Sequence, residues 1–357
     1  MPDPKQPDIA SRKDDHIAIT LEEEIGFRRK TTLLEEVELV HDALPDLAVG
    51  DVDLSCTFAG KRLRAPLIVA AMTGGTARAE AINRDLAAVA EELGVGFAFG
   101  SMRPLLVRGI RDGYFVRRVA PSTLVLGNIG VVQARATPTA TLRAMLDETG
   151  CDALCVHLNP AMEVVQPEGD DDFRGGLDTI RRIVGELGLP VIVKETGCGL
   201  SRSVGERLAA AGVTHVDTSG AGGTSWVGVE ARRAKEGQRA LGERFWDWGI
   251  PTGASVAQLS GLPLTVCATG GIADGLDAAR AIALGATCAG IARPLLKAQA
   301  QGLDALREAL SRVIAEVRIA CLLTGSRTLD DLRTKPLVLG PRLLRWVPQG
   351  SPIQSRI

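Results

Sequence analysis

The chain has 357 residues, 45% of them apolar and 24% charged, with 41 Lys and Arg against 43 Asp and Glu. That composition suits a globular protein with a substantial core, and the length suits one α/β barrel with terminal extensions better than two large domains. A formal net charge of -2 removes the electrostatic motive for nucleic acid or an anionic membrane surface, and 3% aromatics offers no stacking platform for single strands.

Residues 1–29 are polar and hold no apolar run of the signal-peptide kind, and no stretch approaches the roughly 18 apolar residues of a membrane span. A cytoplasmic location is the expectation. The seven cysteines are scattered through apolar segments without zinc-like spacing and read as reduced, buried thiols.

From residue 66 onward, short β-like runs alternate with helix-like stretches. The runs fall at 66–71, 95–99, 123–126, 153–157, 190–194, 214–218, 264–268 and 287–291. Most are continuously apolar, as strands buried on both faces should be. Helical patterns at 78–93, 139–149, 177–187, 203–211 and 276–284 lie between them, several stopped by a glycine such as Gly94, Gly150 or Gly285. Eight such units in series predict an α/β fold, a (β/α)8 TIM barrel over 66–333. A doubly wound open sheet is the alternative and rarely keeps so regular a count.

An N-terminal extension, 1–65, precedes the barrel. The stretch 220–253 is too long for an ordinary connection and is predicted to fold over the barrel mouth, with Trp226, Trp246 and Trp248 as packing residues. A helical segment at 303–323 closes the barrel. The Pro- and Arg-rich tail, 334–357, is expected to be loosely ordered.

Barrel enzymes keep their chemistry in the loops that follow the strands. Here those ends read Met72-Thr73-Gly74-Gly75, Gly100-Ser101-Met102-Arg103, Gly127-Asn128-Ile129-Gly130, His157-Leu158-Asn159 and Lys194-Glu195-Thr196-Gly197. The last three are Ser219-Gly220-Ala221-Gly222-Gly223-Thr224-Ser225, Thr269-Gly270-Gly271 and Ala289-Gly290-Ile291-Ala292-Arg293. Glycines in the last three loops let backbone N–H groups approach a phosphate. Lys194 ends an apolar strand, so its ammonium should point into the mouth rather than onto a helix exterior. A lone histidine is usually structural, but His157 and Asn159 share a face at a strand end, which favours a functional pair.

Together these strings resemble the type 2 isopentenyl-diphosphate isomerases, which are FMN-dependent barrels. The likeness runs from Ser11-Arg12-Lys13-Asp14-Asp15-His16 to Leu323-Thr324-Gly325-Ser326-Arg327. Its most specific pieces are that opening, Val37-Glu38-Leu39-Val40-His41, Ala71-Met72-Thr73-Gly74-Gly75, Pro167-Glu168-Gly169-Asp170 and the strings that begin at Lys194 and Ser219. The resemblance implies conversion of isopentenyl diphosphate to dimethylallyl diphosphate by a 1,3-proton shift. It also implies reduced FMN, NAD(P)H as reductant, Mg2+, and a homo-oligomer of four or eight subunits.

Carried over by motif, Arg12, Lys13, Ser101, Met102, Arg103 and His157 would hold the substrate, the cations suiting a diphosphate. The FMN contacts would be Ala71, Met72, Thr73, Ser101, Asn128, Lys194, Ser219, Thr224, Gly270, Gly271, Ala289 and Gly290. Lys194 would stabilise the anionic reduced ring. Glu163 matches the magnesium carboxylate, completed by phosphate oxygens and water.

Two positions depart from the family pattern. His157-Leu158-Asn159-Pro160-Ala161-Met162-Glu163 carries Met162 where the family has a glutamine beside the substrate, and Ala273 replaces an arginine. The catalytic set is then Lys194, His157, Asn159 and, in the glutamine's place, Met162, a soft apolar thioether with no proton to give. Alternatives are a paralogue acting on a modified prenyl diphosphate or with altered flavin chemistry, and a flavin-binding protein without turnover. Oxidation of 2-hydroxy acids on a similar barrel needs a histidine where this chain has Ser219-Gly220.

Overall fold

The computed structural model describes residues 9–166 and 169–357, with side chains from Lys13 onward. Eight parallel strands close into a barrel: β1 (Leu67–Val69), β2 (Gly96–Ala98), β3 (Val125–Gly130), β4 (Ala153–His157), β5 (Val191–Lys194), β6 (His215–Asp217), β7 (Thr265–Ala268) and β8 (Cys288–Ile291). Each pairs with its sequence neighbours, and Ala289 to Ile291 of β8 pair with Leu67 to Val69 of β1 to complete the circle. All eight apolar runs are strands. β3 extends past the expected residue 126 because Asn128, Ile129 and Gly130 find ladder partners in Cys155, Val156 and His157.

Side chains pointing inward, among them Ile68, Ala98, Leu126, Cys155, Ile192, Cys267 and Cys288, fill the barrel. A hairpin, Cys56–Phe58 with Lys61–Leu63, plugs its base. There Phe58 stands edge-on to His215 at the start of β6, with ring centroids 5.2 Å apart. The base is therefore packed shut, and only the C-terminal strand ends remain open for chemistry. The residues facing the other way pack against the outer helices, of which Leu303–Leu323 spans the expected 303–323.

Two segments cover the mouth. The long insertion forms the helices Trp226–Arg233 and Glu236–Phe245, and the N-terminal helix Ile9–Glu22 lies beside the first of them. A bridge between Gly26 and Thr224 joins the two covers. The tail departs from expectation. Its strand Leu337–Leu339 pairs antiparallel with Val37–Leu39, and Leu337, Leu343 and Ile353 are buried. Alternating Leu337-Val338-Leu339 hides one face while Val338 stays exposed, a strand pattern too short to stand out from sequence. No helix among the described residues is long and apolar enough to cross a membrane.

Candidate active site

The strand ends enclose a cavity of about 410 Å³. Register puts its key side chains at one height: Gly130 pairs with His157, His157 with Lys194, and Lys194 with Asp217. Four neighbouring strands thus present a ring of groups at the cavity floor.

His157 is held in one tautomer. Its Nδ1 lies 2.9 Å from Asn128 Oδ1, and Asn128 Nδ2 donates to the Phe99 carbonyl at 3.1 Å. With the amide nitrogen engaged elsewhere, Asn128 Oδ1 is an acceptor, so Nδ1 carries the proton and Nε2 keeps its lone pair. Burial pushes the imidazole down to about 3, and the charges of Lys194 and Lys13 push in the same direction. The ring is neutral at physiological pH. Glycine at 130 gives it room, since a Cβ there would stand 3.0 Å from His157 Nε2.

Lys194 is buried and its Nζ donates to the Glu195 carbonyl at 2.5 Å. Beside it, Asp217 Oδ1 accepts from the Ser219 N–H at 3.0 Å and from the Thr269 hydroxyl. Burial raises the Asp217 carboxyl above its ordinary range, although Lys194 and those two hydrogen bonds oppose the shift. Burial likewise pushes Glu195 up to about 7, against N–H donors from Cys198 and Thr196.

Pro160 opens a single helical turn, Pro160–Glu163, at the position where its missing N–H costs nothing. That turn brings Met162 and Glu163 to the cavity wall. Asn159 Nδ2 donates to Glu163 Oε1 at 2.6 Å, and the Asp170 N–H donates to Oε2 at 2.9 Å. On the roof, Lys13, His16, Ile17 and Thr20 follow helical spacing and face inward together. His16 Nε2 lies 2.7 Å from Glu230 Oε1, and Arg233 donates to Glu230 Oε2 at 2.8 Å. Burial raises Glu230, but His16 and Arg233 outweigh it and hold the carboxyl low. Burial also lowers His16 despite its partner.

The glycine loops touch backbone to backbone. A Cβ on Gly223 would sit 2.5 Å from Gly271 Cα, and one on Gly271 would sit 2.7 Å from Gly223 N. Gly271 also has φ +76°, and Ser219 is held at φ +35°, uncommon for a residue with a side chain. Glycine thus lets several peptide groups crowd together at the cavity wall, the raw material of an anion cradle. The hydroxyls of Thr73 and Thr196 are buried with no hydrogen-bond partner among the described residues, and both residues line the cavity.

Most of the expected site residues meet here. Ala71, Met72, Thr73, Ser101, Asn128, Lys194, Ser219, Thr224, Gly270, Gly271 and Gly290 line the cavity, as do Lys13, Arg103, His157, Asn159, Met162 and Glu163. Two do not. Met102 is fully buried, its sulfur 3.4 Å from the Asn128 N–H, so it supports the floor from behind. Ala289 alternates with the inward Cys288 and Gly290 and packs toward the outer helices. The side chain of Arg12, and Pro167 and Glu168, lie outside the described residues. Sequence reasoning missed Gln133, Gln166, Thr196 and Asp217 as lining residues and assigned Trp226 to packing alone. Asp217 carried no signal as sharp as that of Lys194, because its run, Thr214-His215-Val216-Asp217-Thr218, is polar on either side of Val216. Among the described residues no group of three or more His, Cys, Asp or Glu is arranged to hold a metal ion by itself.

Residues 8–159 and 132–339 match the FMN-dependent dehydrogenase family. The isopentenyl-diphosphate delta-isomerase of Methanosarcina barkeri is 42% identical over 346 residues, covering 95% of this chain and 94% of that protein. Its namesake from Synechococcus is 44% identical over 339 residues, covering 93% and 97%. Among solved structures, a mandelate oxidase variant carrying a monooxide FMN adduct shares the fold, with a TM-score of 0.62 over 90% of this chain and 95% of that one at 21% identity. The chain belongs to the FMN-dependent dehydrogenase family and, within it, to the isopentenyl-diphosphate delta-isomerases.

Proposed function

We propose that the protein converts isopentenyl diphosphate to dimethylallyl diphosphate by a 1,3-proton shift, with reduced FMN in the barrel mouth and Mg2+ at Glu163. The observation that carries this reading is that one cavity is lined by two sets of groups suited to anions. The contacting glycine loops at 222–223 and 270–271 form one, and Lys13 and Arg103 with Glu163 form the other. Two separate phosphate-bearing ligands, a cofactor and a substrate, suit those two sets.

The residues present fit FMN. Glycine lets the loops at 222–223 and 270–271 close on each other beside the cavity, where their peptide groups would face a phosphate, and the unpartnered Thr73 and Thr196 hydroxyls would supply polar contacts. Lys194 offers a cation to the ring. Bound and reduced, FMN supplies an electron-rich ring that can exchange a proton without net oxidation, with NAD(P)H restoring it after adventitious oxidation.

Glu163 fits a magnesium ion shared with substrate. Each carboxylate oxygen accepts one hydrogen bond and keeps a lone pair, and diphosphate oxygens and water would complete the shell. Neutral His157 can accept a hydrogen bond at Nε2 and adds no charge to the site. Lys13 and Arg103 bind and orient the diphosphate, and the roof helices limit the entry of water to the reacting end.

Met162 favours a second reading, in which the more apolar wall admits a modified prenyl diphosphate. Anaerobic incubation with FMN, dithionite, magnesium and isopentenyl diphosphate in D2O separates the two. Proton NMR should show dimethylallyl diphosphate carrying deuterium. Neither product nor exchange, with FMN bound, would overturn the first reading.

A further inference from the structure

Among the described residues, four carboxamide side chains line the cavity: Asn128, Gln133, Asn159 and Gln166. Three are committed within the protein. Asn128 bridges His157 and the Phe99 carbonyl, Gln133 Nε2 donates to Asp170 Oδ2 at 2.8 Å, and Asn159 donates to Glu163. Gln166 is only 6% exposed, and its carboxamide has no hydrogen bond to any of the described residues. With no partner in the protein and a place on the cavity wall, the amide is left for a bound group to complete.

The backbone shows where the amide reaches. The Gln166 N–H donates to the Met162 carbonyl at 2.9 Å, a helical i to i−4 bond that stacks the two residues on one face a turn apart. Side chains on such a turn lean toward its N-terminus, so Gln166 reaches back toward the position of Met162.

We infer that Gln166 supplies the substrate-facing carboxamide of this site, with Met162 as the apolar wall against the hydrocarbon. The inference rests on the isomerase reading above. An amide offers two donors and an acceptor but no titratable proton, so its work is to hold the bound prenyl diphosphate in one pose.

The test compares the unsubstituted enzyme, Gln166→Leu and the double variant Met162→Gln/Gln166→Leu, each saturated with FMN and reduced anaerobically. Turnover of isopentenyl diphosphate, deuterium exchange and FMN affinity are measured for each. Gln166→Leu should lose about 10²-fold in kcat, the scale of a lost preorganised donor, with FMN affinity unchanged. The double variant should recover about tenfold or more, because a carboxamide returns from one turn away. A merely structural role would give no such recovery. If Gln166→Leu does not bind FMN, Gln166→Asn, one methylene shorter, replaces it and should show the same loss and the same recovery. Normal kcat in the single variant, or no recovery in the double, overturns the assignment of Gln166 alone. Absence of turnover and exchange in the unsubstituted enzyme overturns the isomerase reading and this inference with it.

Discussion

His157 and Lys194 are register neighbours, and the fold treats them in opposite ways: one is buried neutral, the other keeps its carboxylate neighbour Asp217. Because the folded imidazole sits at about 3 against about 6.5 unfolded, the unfolded chain binds more protons between those values. Stability therefore rises with pH up to about 6.5 through this group and is flat above it, by at most about 1.4 kcal/mol per pH unit. Replacing His157 with Gln should flatten the pH dependence of the unfolding midpoint between pH 5 and 6.5, as denaturant titrations at several pH values would show; an unchanged slope would contradict the buried neutral ring. Lys194 and Asp217 can be separated by the flavin itself. Lys194→Met should move the FMN reduction potential negative, and Asp217→Asn should move it positive. Each lost charge should shift it by roughly 30 mV or more, about 1.4 kcal/mol for a two-electron couple, read by spectroelectrochemistry. Shifts of the same sign would mean that Asp217 does not act on the ring through its charge.

At the scale of elements, the mouth is a clasp between two segments far apart in sequence. Glu230 is fully buried in the insertion helix and is shared by His16 of the N-terminal helix and by Arg233. Both pKa shifts make acid loosen this contact: the Glu230 contribution is lost as pH falls through its depressed value, and burying neutral His16 costs more as pH drops below its ordinary value. Glu230→Ala strips buried His16 of its carboxylate and leaves Arg233 only Asp15, so up to about 3–5 kcal/mol, the usual cost of breaking a buried pair, should be lost locally. Limited proteolysis should then cut within residues 9–22 before the barrel melts, whereas simultaneous loss of both would mean the clasp is not a separate unit. The covering role of 220–253 was legible in sequence, since a connection that long must go somewhere. Its partner was not, because Glu230 sits among Arg232, Arg233 and Lys235 and reads as one more solvated charge on a polar helix. Asp217 and Gln166 escaped for a related reason: only closure of the barrel turns a buried polar side chain into a cavity wall.

For the whole molecule, the barrel was legible because eight short runs, most of them continuously apolar, repeat with glycine-stopped helices between them. The outer belt was not, because three-residue strands carry too little pattern, and Pro and Arg after residue 333 read as a loose end. In the structure that tail joins both ends of the chain. Leu337–Leu339 pairs with Val37–Leu39, and Arg342 Nε donates to Glu36 Oε1 at 2.6 Å. Further along, Arg356 donates to the carbonyls of Ala283 and Lys335. The arginine pair is exposed and contributes little by itself. The apolar anchors matter more. Burying Leu337, Leu343 and Ile353 is worth roughly 1.5–3 kcal/mol each, so together they approach the 5–15 kcal/mol that separates most folded domains from their unfolded state. A chain ending at Arg333 should therefore be insoluble or melt well below the full-length protein, even though every barrel strand and the helix Leu303–Leu323 remain. Ile353→Ala, costing about 2–5 kcal/mol by itself, should reproduce part of that loss in soluble protein. A truncated chain that melted within a few degrees of the intact one would show that the belt is decoration and the barrel self-sufficient.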